Sequence, residues 1–460
     1  KATMIIAEAA TPSTYNTAST KASLLDTEAD ASSGCGGGCE SADHCVSTCA
    51  AYGKVCPCHA RAAARAACKR IGQILSESKV FEEGEPSFRK VSQSDVIIDS
   101  EKLLGEGGFS KVNACSFKDD DPKNNSSQEG LLAIKYLKRQ VMVERKTFQY
   151  GAADLANEAF FLARLKHPNI IQLHAVTEGS LEKNISAGKD GGYFIIVDRL
   201  VETLDQRMEK WQAQSEEIPH SLFYRLSREY KEKQRKLLKD RVQVALQIAT
   251  VMEYLHSLNI LFRDIKPDNI GFDTEGTLKL FDFGLAKEEK PCDAEEDGKY
   301  RMTGHTGSRR YMAPEVAKDQ PYDRSVDVYS FGILLWEICS LEKPFAGYNS
   351  KKHMRDVVIA GERPKMDSSH TAHWPSDLQW LMTRSWSSES EMRPSFTMIK
   401  QTLQNVLEEL QMPQSNRIRS RSEGSAFEKQ QATYNHDDGC ISPTRKGPRM
   451  FKIPRMISRS

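Results

Sequence analysis

The stretch Leu261-Phe-Arg-Asp-Ile-Lys-Pro-Asp-Asn269 places three different chemical groups within six consecutive residues. The Asp264 carboxylate can accept a proton, and the Lys266 ammonium, two residues later, can bind an anion. Asn269 adds an amide oxygen, a ligand type that the hard cation Mg²⁺ prefers. A base, a cation and a metal ligand at this spacing are typical of a catalytic loop.

A second acidic segment, Asp282-Phe-Gly284, begins thirteen residues after Asn269. Residues 270–272 and 278–280 are short apolar runs that flank the polar turn Asp-Thr-Glu-Gly, and this pattern predicts a β-hairpin. A hairpin of that size is expected to hold Asn269 and Asp282 on one side of a shared cleft.

Together these two segments resemble the catalytic loop and the DFG segment of eukaryotic protein kinases. The resemblance implies that Asp264 accepts the proton of the attacking hydroxyl and that Lys266 contacts the transferring phosphate. It also implies that Asn269 and Asp282 bind Mg²⁺. Phosphoryl transfer asks little covalent chemistry of the protein, so positioning and charge stabilisation would supply most of the rate.

Upstream segments resemble the ATP site of the same family. Gly105-Glu-Gly-Gly-Phe-Ser-Lys-Val112 is similar to the glycine-rich loop, with Ser110 in place of its last glycine. The resemblance implies that Glu158 pairs with Lys135 and that Val197 is the gatekeeper before the hinge. The residues that it assigns to nucleotide binding are Gly105, Gly107, Gly108, Val112, Ala133, Lys135, Glu158, Asp198 and Leu200.

The substrate class follows from departures from the tyrosine-kinase pattern. Tyrosine kinases usually replace the lysine after the catalytic Asp and carry a Trp before Ala-Pro-Glu, whereas this chain has Lys266 and Tyr311-Met312. Ser308 is similar to the small hydroxyl residue with which serine/threonine kinases brace Asp264 and Lys266. The resemblance therefore implies a protein serine/threonine kinase.

Three segments nearer the C-terminus resemble motifs of the tyrosine-kinase-like branch: 361–364, Trp386 and 393–396. The resemblance therefore implies that the chain belongs to this branch. In the family, Glu315 of Ala-Pro-Glu pairs with Arg393, and Asp327 caps the backbone of the catalytic loop.

Three residues depart from the family pattern. Phe262 stands where His is usual, and Gly271 replaces an apolar residue beneath the adenine site. Phe281, before Asp282, is larger than is common. We expect Phe281 to refill part of the space that Gly271 leaves.

The resemblance implies an α+β, bilobal protein kinase fold over 96–411, with a small β-rich N-lobe (96–198) and a larger helical C-lobe (199–411). Residues 1–90 are rich in Ala, Ser and Thr, and 412–460 form a Ser-rich basic tail, so both are expected to be disordered. Residues 61–70 are predicted to form a short basic helix with a solvated surface, and 209–240 an exposed helical insertion.

Seven of the eleven cysteines lie between Cys35 and Cys68. Their paired spacing leaves zinc open as an alternative to a flexible thiol-rich segment, since structural zinc tolerates two to four residues between ligands. With 64 Lys and Arg against 63 Asp and Glu, overall charge indicates no nucleic-acid partner. We expect no membrane partner, because no apolar run approaches roughly 18 residues. Without a secretory signal, a cytoplasmic location is predicted, with a nuclear one left open by the basic tail.

The sequence thus predicts an ATP- and Mg²⁺-dependent kinase that acts on protein hydroxyls. An upstream kinase or autophosphorylation is expected to activate it at Thr303 or Thr306, within reach of Arg263. A catalytically silent scaffold would lack some of the residues Lys135, Asp264, Asn269 and Asp282, which are all present. A metal- or nucleic-acid-binding protein built on the cysteine-rich segment is the third alternative.

Overall fold

The structure is a computed structural model that describes residues 57–75, 89–118, 132–179, 184, 193–216, 227–290, 294–295, 298–366, 371 and 374–412. These residues form a β-rich N-terminal lobe and a helical C-terminal lobe, so the predicted α+β bilobal kinase fold is confirmed. The cysteine segment 35–56 and the tail from 413 onward lie outside the described residues.

The N-lobe is built on one six-stranded sheet with the spatial order β1-β5-β6-β4-β3-β2. Only β1 and β5 pair in parallel; the other neighbours are antiparallel. Four consecutive residues of the central strand β6, Phe194 to Val197, are buried, because neighbouring strands and packed residues cover both faces. The strands are β1 (Arg89–Val91), β2 (Val96–Glu106), β3 (Ser110–Phe117), β4 (Leu132–Leu137), β5 (Leu173–Thr177) and β6 (Phe194–Asp198).

Three helices accompany this sheet: α1 (Pro57–Leu75), α2 (Arg139–Val143) and α3 (Arg145–Leu162). Helix α3 begins after Glu144, whose carboxylate accepts hydrogen bonds from the amides of Lys146 and Thr147 at 3.0 and 2.7 Å. Ala152, Leu155 and Ala156 on α3 are buried.

Helix α1 differs from the sequence-based expectation for 1–90. It spans 19 residues, and one face belongs to the main hydrophobic core instead of lying in solvent. The buried residues recur at helical spacing and are mostly small: Ala60, Ala63, Ala64, Ala67, Ile71 and Ile74. Alanines give a weak hydrophobic signal, and interspersed Arg and Lys residues mask their period. The sheet likewise begins at Arg89, before the predicted start at Val96, because β1 carries a single buried apolar residue, Val91.

The C-lobe contains short strands around the catalytic loop and seven α-helices within the described ranges. The predicted hairpin is present, since β9 and β10 pair antiparallel, and β7 adds to β9. The strands are β7 (Glu202–Thr203), β8 (Ile260–Leu261), β9 (Ile270–Phe272), β10 (Leu278–Leu280) and β11 (Lys287–Glu288). The helices are α4 (Leu204–Glu216), α5 (Arg228–Ser257), α6 (Pro314–Ala317), α7 (Ser325–Ser340), α8 (Ser350–His353), α9 (Ser376–Ser385) and α10 (Phe396–Gln411).

Helix α7 is the centre of the C-lobe, because every residue from Val326 to Cys339 is buried. At Gly332 a Cβ atom would lie 2.7 Å from the Cβ of Ser385 on α9, so glycine permits this close approach. The predicted insertion at 209–240 is helical where described, but Trp211 and Leu238 are buried, so it is not wholly exposed. Within the described ranges, no helix combines the length and apolar character needed to cross a membrane.

Candidate active site

Lys135 connects the two lobes through two carboxylates. Its Nζ lies 2.6 Å from Glu158 Oε2 on α3 and 3.0 Å from Asp282 Oδ1. Burial favours a neutral lysine, but the two carboxylates outweigh it and raise the pKa of Lys135. Burial raises the pKa of Glu158 to about 7, and Lys135 opposes that rise. The 2.6 Å hydrogen bond favours the charged pair.

Asp282 has an unusual backbone conformation, of a kind often found at functional sites. Its φ of 67° lies in the left-handed region, which a non-glycine residue adopts at a cost of order 1–3 kcal/mol. Lys135 lowers the pKa of its carboxyl against the effect of burial, which keeps Asp282 ionised. The side chain remains 43% exposed and so can reach a ligand in the cleft.

The catalytic loop holds Asp264 from three sides. Lys266 Nζ lies 2.6 Å from Asp264 Oδ2, and the side-chain amide of Asn269 donates to the same oxygen at 2.9 Å. The backbone amide of Ser308 donates to Asp264 Oδ1 at 2.8 Å. The sequence predicted that the Ser308 hydroxyl would brace this site. Because other residue types can donate the same hydrogen bond from their backbone amides, this contact indicates less about substrate class than a hydroxyl contact would.

Asp327 fixes the backbone of this loop, as predicted. Its carboxylate accepts hydrogen bonds from the amides of Phe262 and Arg263 at 2.9 and 2.8 Å, and it is fully buried. His256 Nε2 lies 3.1 Å from the same carboxylate, a contact that sequence reasoning missed. The sequence signal for this contact was a histidine near the end of α5, the helix that precedes the catalytic loop.

The predicted nucleotide-binding residues lie on the glycine-rich loop, β4, α3 and the hinge. A Cβ at Gly105 or Gly108 would meet nothing within 4 Å, so the space beside both glycines is open. Ala133 is 2% exposed on β4. The Asp198 carboxylate is bound by His174 at 2.8 Å and by the amide of Gln172 at 2.9 Å, which fixes the start of the hinge.

Phe281 lies beside Gly271, as expected, but Leu200 lies closer. A Cβ there would lie 2.6 Å from Leu200 Cδ1 and 3.3 Å from the Phe281 ring. Leu200 is thus the nearer of the two side chains that replace the missing one. Phe262, in place of the usual His, packs edge-on against Phe283 at a centroid distance of 5.1 Å.

The activation segment, residues 282–315, is anchored at its end as predicted. Arg393 donates two hydrogen bonds to Glu315, at 2.5 and 3.0 Å, and its side chain is fully buried. This bidentate geometry is the strong form of an arginine–carboxylate contact.

Asn157 on α3 is a further residue that the motifs did not indicate. It is fully buried, and its side-chain amide donates to the carbonyls of Phe283, Gly284 and Ala286 at 2.8, 2.9 and 3.2 Å. The sequence signal for Asn157 was its position directly before Glu158, on the helix that must contact the Asp282 segment.

The atoms present fit a hard cation bound between the lobes. Asn269 uses its amide nitrogen toward Asp264, which leaves its oxygen for a metal, and Asp282 contributes a carboxylate. Oxygen ligands of this kind suit Mg²⁺ held together with phosphate oxygens. Among the described residues, no group of three or more His, Cys, Asp and Glu side chains is placed to hold a metal. The zinc prediction depends mainly on cysteines outside those residues.

A lysine paired with a helix glutamate, a left-handed Asp-Phe-Gly segment and a catalytic loop braced by the activation segment define a protein kinase domain. A family model described as protein tyrosine and serine/threonine kinase matches residues 98–403. The chain belongs to this family, and its predicted place in the tyrosine-kinase-like branch is confirmed.

Curated relatives match a large part of this region. The Arabidopsis thaliana serine/threonine/tyrosine-protein kinase HT1 is 30% identical over 62% of this chain and 62% of its own length. The serine/threonine-protein kinase VIK of the same plant is 30% identical over 70% of this chain and 63% of its length. The Dictyostelium discoideum dual specificity protein kinase shkB is 38% identical over 37% of this chain and 25% of its length. The chain therefore spans less than two thirds of the length of these relatives.

Proposed function

We propose that this chain is an ATP-dependent protein serine/threonine kinase that transfers the γ-phosphoryl group of Mg-ATP to protein hydroxyls. The main support for this proposal is the set of contacts among the predicted catalytic residues. Lys135 contacts both Glu158 and Asp282, and Asp264 is held by the catalytic loop and the activation segment.

Each contact has a role in phosphoryl transfer. Lys135 orients the α- and β-phosphates, while Asn269 and Asp282 would hold the magnesium ion. When bound, Mg-ATP would supply the γ-phosphoryl group, with ADP as the leaving group, and the magnesium ion would neutralise charge that develops on the phosphate oxygens. Asp264 then accepts the proton of the acceptor hydroxyl, and Lys266 lies beside that carboxylate to contact the moving phosphate.

A groove suited to a protein substrate opens beside these residues. It is a cavity of about 330 Å³, and its lining includes Lys266, Ser308, Arg310 and Tyr348. Because Lys266 lines the cavity and contacts Asp264, an extended peptide bound there would bring a hydroxyl close to Asp264. A lysine after the catalytic Asp favours serine and threonine as acceptors.

The test is transfer of radiolabelled phosphate from ATP to a generic basic protein, followed by phosphoamino-acid analysis. We expect label on serine and threonine with Mg²⁺, and background transfer when EDTA removes the metal. Label mainly on tyrosine would refute the substrate class. Absence of transfer in the presence of Mg²⁺, from protein phosphorylated on its activation segment, would refute the activity.

We further propose that phosphorylation of the activation segment raises activity. Arg263 Nη1 lies 3.2 Å from Thr303 Oγ1, and Thr303 lies 2.9 Å from the hydroxyl of Thr306. A phosphate of about −2 charge on either threonine would give Arg263 a charge-assisted partner and order the segment. We propose that either the chain itself or an upstream kinase adds this phosphate.

Thr303→Ala and Thr306→Ala are expected to lower kcat, and phosphatase treatment of the wild type should do the same. Transfer rates before and after dephosphorylation, with intact mass as the record of phosphate number, measure the effect. Thr383→Ala, at an exposed threonine on α9, is the matched control. Equal rates for the phosphorylated and dephosphorylated wild type would contradict the switch.

The cytoplasmic location stays a proposal that rests on the sequence. Fractionation of cells that express the full chain tests it, and recovery in the nuclear fraction would instead support a nuclear address in the basic tail.

A further inference from the structure

Helix α1 occupies the outer face of α3, the helix that carries Glu158. The alanine face of α1 and the α3 residues Ala152, Ala156 and Ala159 belong to one hydrophobic cluster. Because these side chains are small, the two helices can approach closely along their length, as their extensive mutual packing shows.

Two polar contacts tie α1 to catalytic segments. Arg70 Nε donates to Asn157 Oδ1 at 3.3 Å, while the amide nitrogen of Asn157 donates to the three carbonyls of residues 283, 284 and 286. Near the C-terminal end of α1, Lys290 Nζ donates to the carbonyl of Gln73 at 2.6 Å. A cation at this point satisfies one of the carbonyls that a helix end leaves without an intrahelical partner.

Both ends of the Asn157 side chain are hydrogen-bonded. Its nitrogen faces the Asp282 segment, and its oxygen needs a donor because the side chain is fully buried. Arg70 supplies that donor from α1. The approach at this point is close, since a Cβ at Gly284 would lie 3.3 Å from the Cβ of Asp154 on α3.

We propose that α1 is a cis-acting positioning element of this kinase, in which Arg70 acts through Asn157 to hold the Asp282 segment in its metal-binding geometry. This inference rests on the proposed kinase function. It assigns Arg70 and Asn157 as positioning residues, because Arg70 contacts Asn157, and Asn157 donates to backbone carbonyls of the Asp282 segment. Docked α1 favours the arrangement in which Lys135 contacts both carboxylates, and undocked α1 leaves α3 and the Asp282 segment free to separate.

The experiment compares full-length Arg70→Met with wild type, using Arg65→Met as the matched control. Arg65 lies one turn earlier on the exposed face of α1. We expect Arg70→Met to lower kcat about tenfold with little change in the KM for ATP, whereas Arg65→Met should match the wild type. Wild-type kcat in Arg70→Met, with an active wild-type enzyme, would overturn the inference and leave the proposed function intact.

A double variant distinguishes a positioning role of Arg70 through Asn157 from a general loss of stability. If Arg70 acts through Asn157, the double variant Arg70→Met/Asn157→Ala should have about the kcat of Asn157→Ala alone. Multiplicative effects would show that Arg70 acts by another route and would overturn the assignment.

A measurement independent of activity covers the case in which Asn157→Ala does not fold. Amide hydrogen exchange of residues 282–290 should be faster in Arg70→Met than in wild type and unchanged in Arg65→Met. Cys68, on α1, reports docking directly: Ala64→Glu, which places a charge on the buried face, should speed its alkylation. Unchanged exchange in Arg70→Met, or unchanged Cys68 labelling and kcat in Ala64→Glu, would count against the role of α1.

Discussion

Asp264→Asn is expected to lower kcat by about two to four orders of magnitude while ATP binding is retained. A positioned general base contributes about 10²–10⁴-fold, and an amide cannot accept the hydroxyl proton in its place. The contacts from Lys266, Asn269 and Ser308 show that the protein holds this carboxylate in one place. Single-turnover transfer and equilibrium binding of a fluorescent ATP analogue measure the two quantities separately.

The matched control is Glu275→Gln, which changes an exposed carboxylate in the turn between β9 and β10. It should retain kcat within about threefold, since the effect of an exposed charge is screened by water and salt. A near-normal rate in Asp264→Asn would remove Asp264 from its assigned role. An equal loss in both variants would show that the rate responds to any loss of negative charge near the site.

Lys135→Met is expected to lower kcat by more than about a hundredfold, with the fold intact. Loss of a charged contact used in the transition state costs on the order of 3 kcal/mol, which corresponds to about that factor. The methionine also leaves Glu158 and Asp282 without their shared cation, so the variant should lose the closed arrangement of the two lobes. Steady-state kinetics and thermal unfolding test both statements.

Lys146→Met provides the comparison for this second variant, because it removes the same charge from an exposed position in the first turn of α3. It should keep the wild-type rate. If Lys135→Met retained normal turnover with unchanged unfolding, another group would have to orient the phosphates.

Much of the site was predictable because its functional side chains stand at fixed offsets from recognisable segments. The hairpin of β9 and β10 lies between the two expected metal ligands, Asn269 and Asp282, and the resemblance correctly paired Glu158 with Lys135. The Glu315–Arg393 pair, although the partners lie far apart in sequence, followed from motifs at both ends. Each of these motifs is a short stretch of sequence with strong chemical constraints, even where the motifs themselves lie far apart.

The features that escaped prediction depend on contacts between distant segments with little sequence signal. Ala64 and Ala67 would suit any helix surface, and their burial depends on the complementary small residues of α3. The contact between Ser308 and Asp264 uses backbone, which no side-chain pattern reveals. Leu200 fills the space at Gly271 because the hinge and β9 meet in three dimensions.

The parallel pairing of β1 with β5 has a consequence for where this domain ends. A fragment cut to the family-matched residues 98–403 would lose β1, and β5 would become an open edge with unsatisfied backbone groups. It would also lose α1 and expose apolar surface on α3. Unpaired strand edges and uncovered apolar faces are the usual starting points of self-association. A fragment that keeps β5 paired and α3 covered is therefore longer than the region that the family model matches.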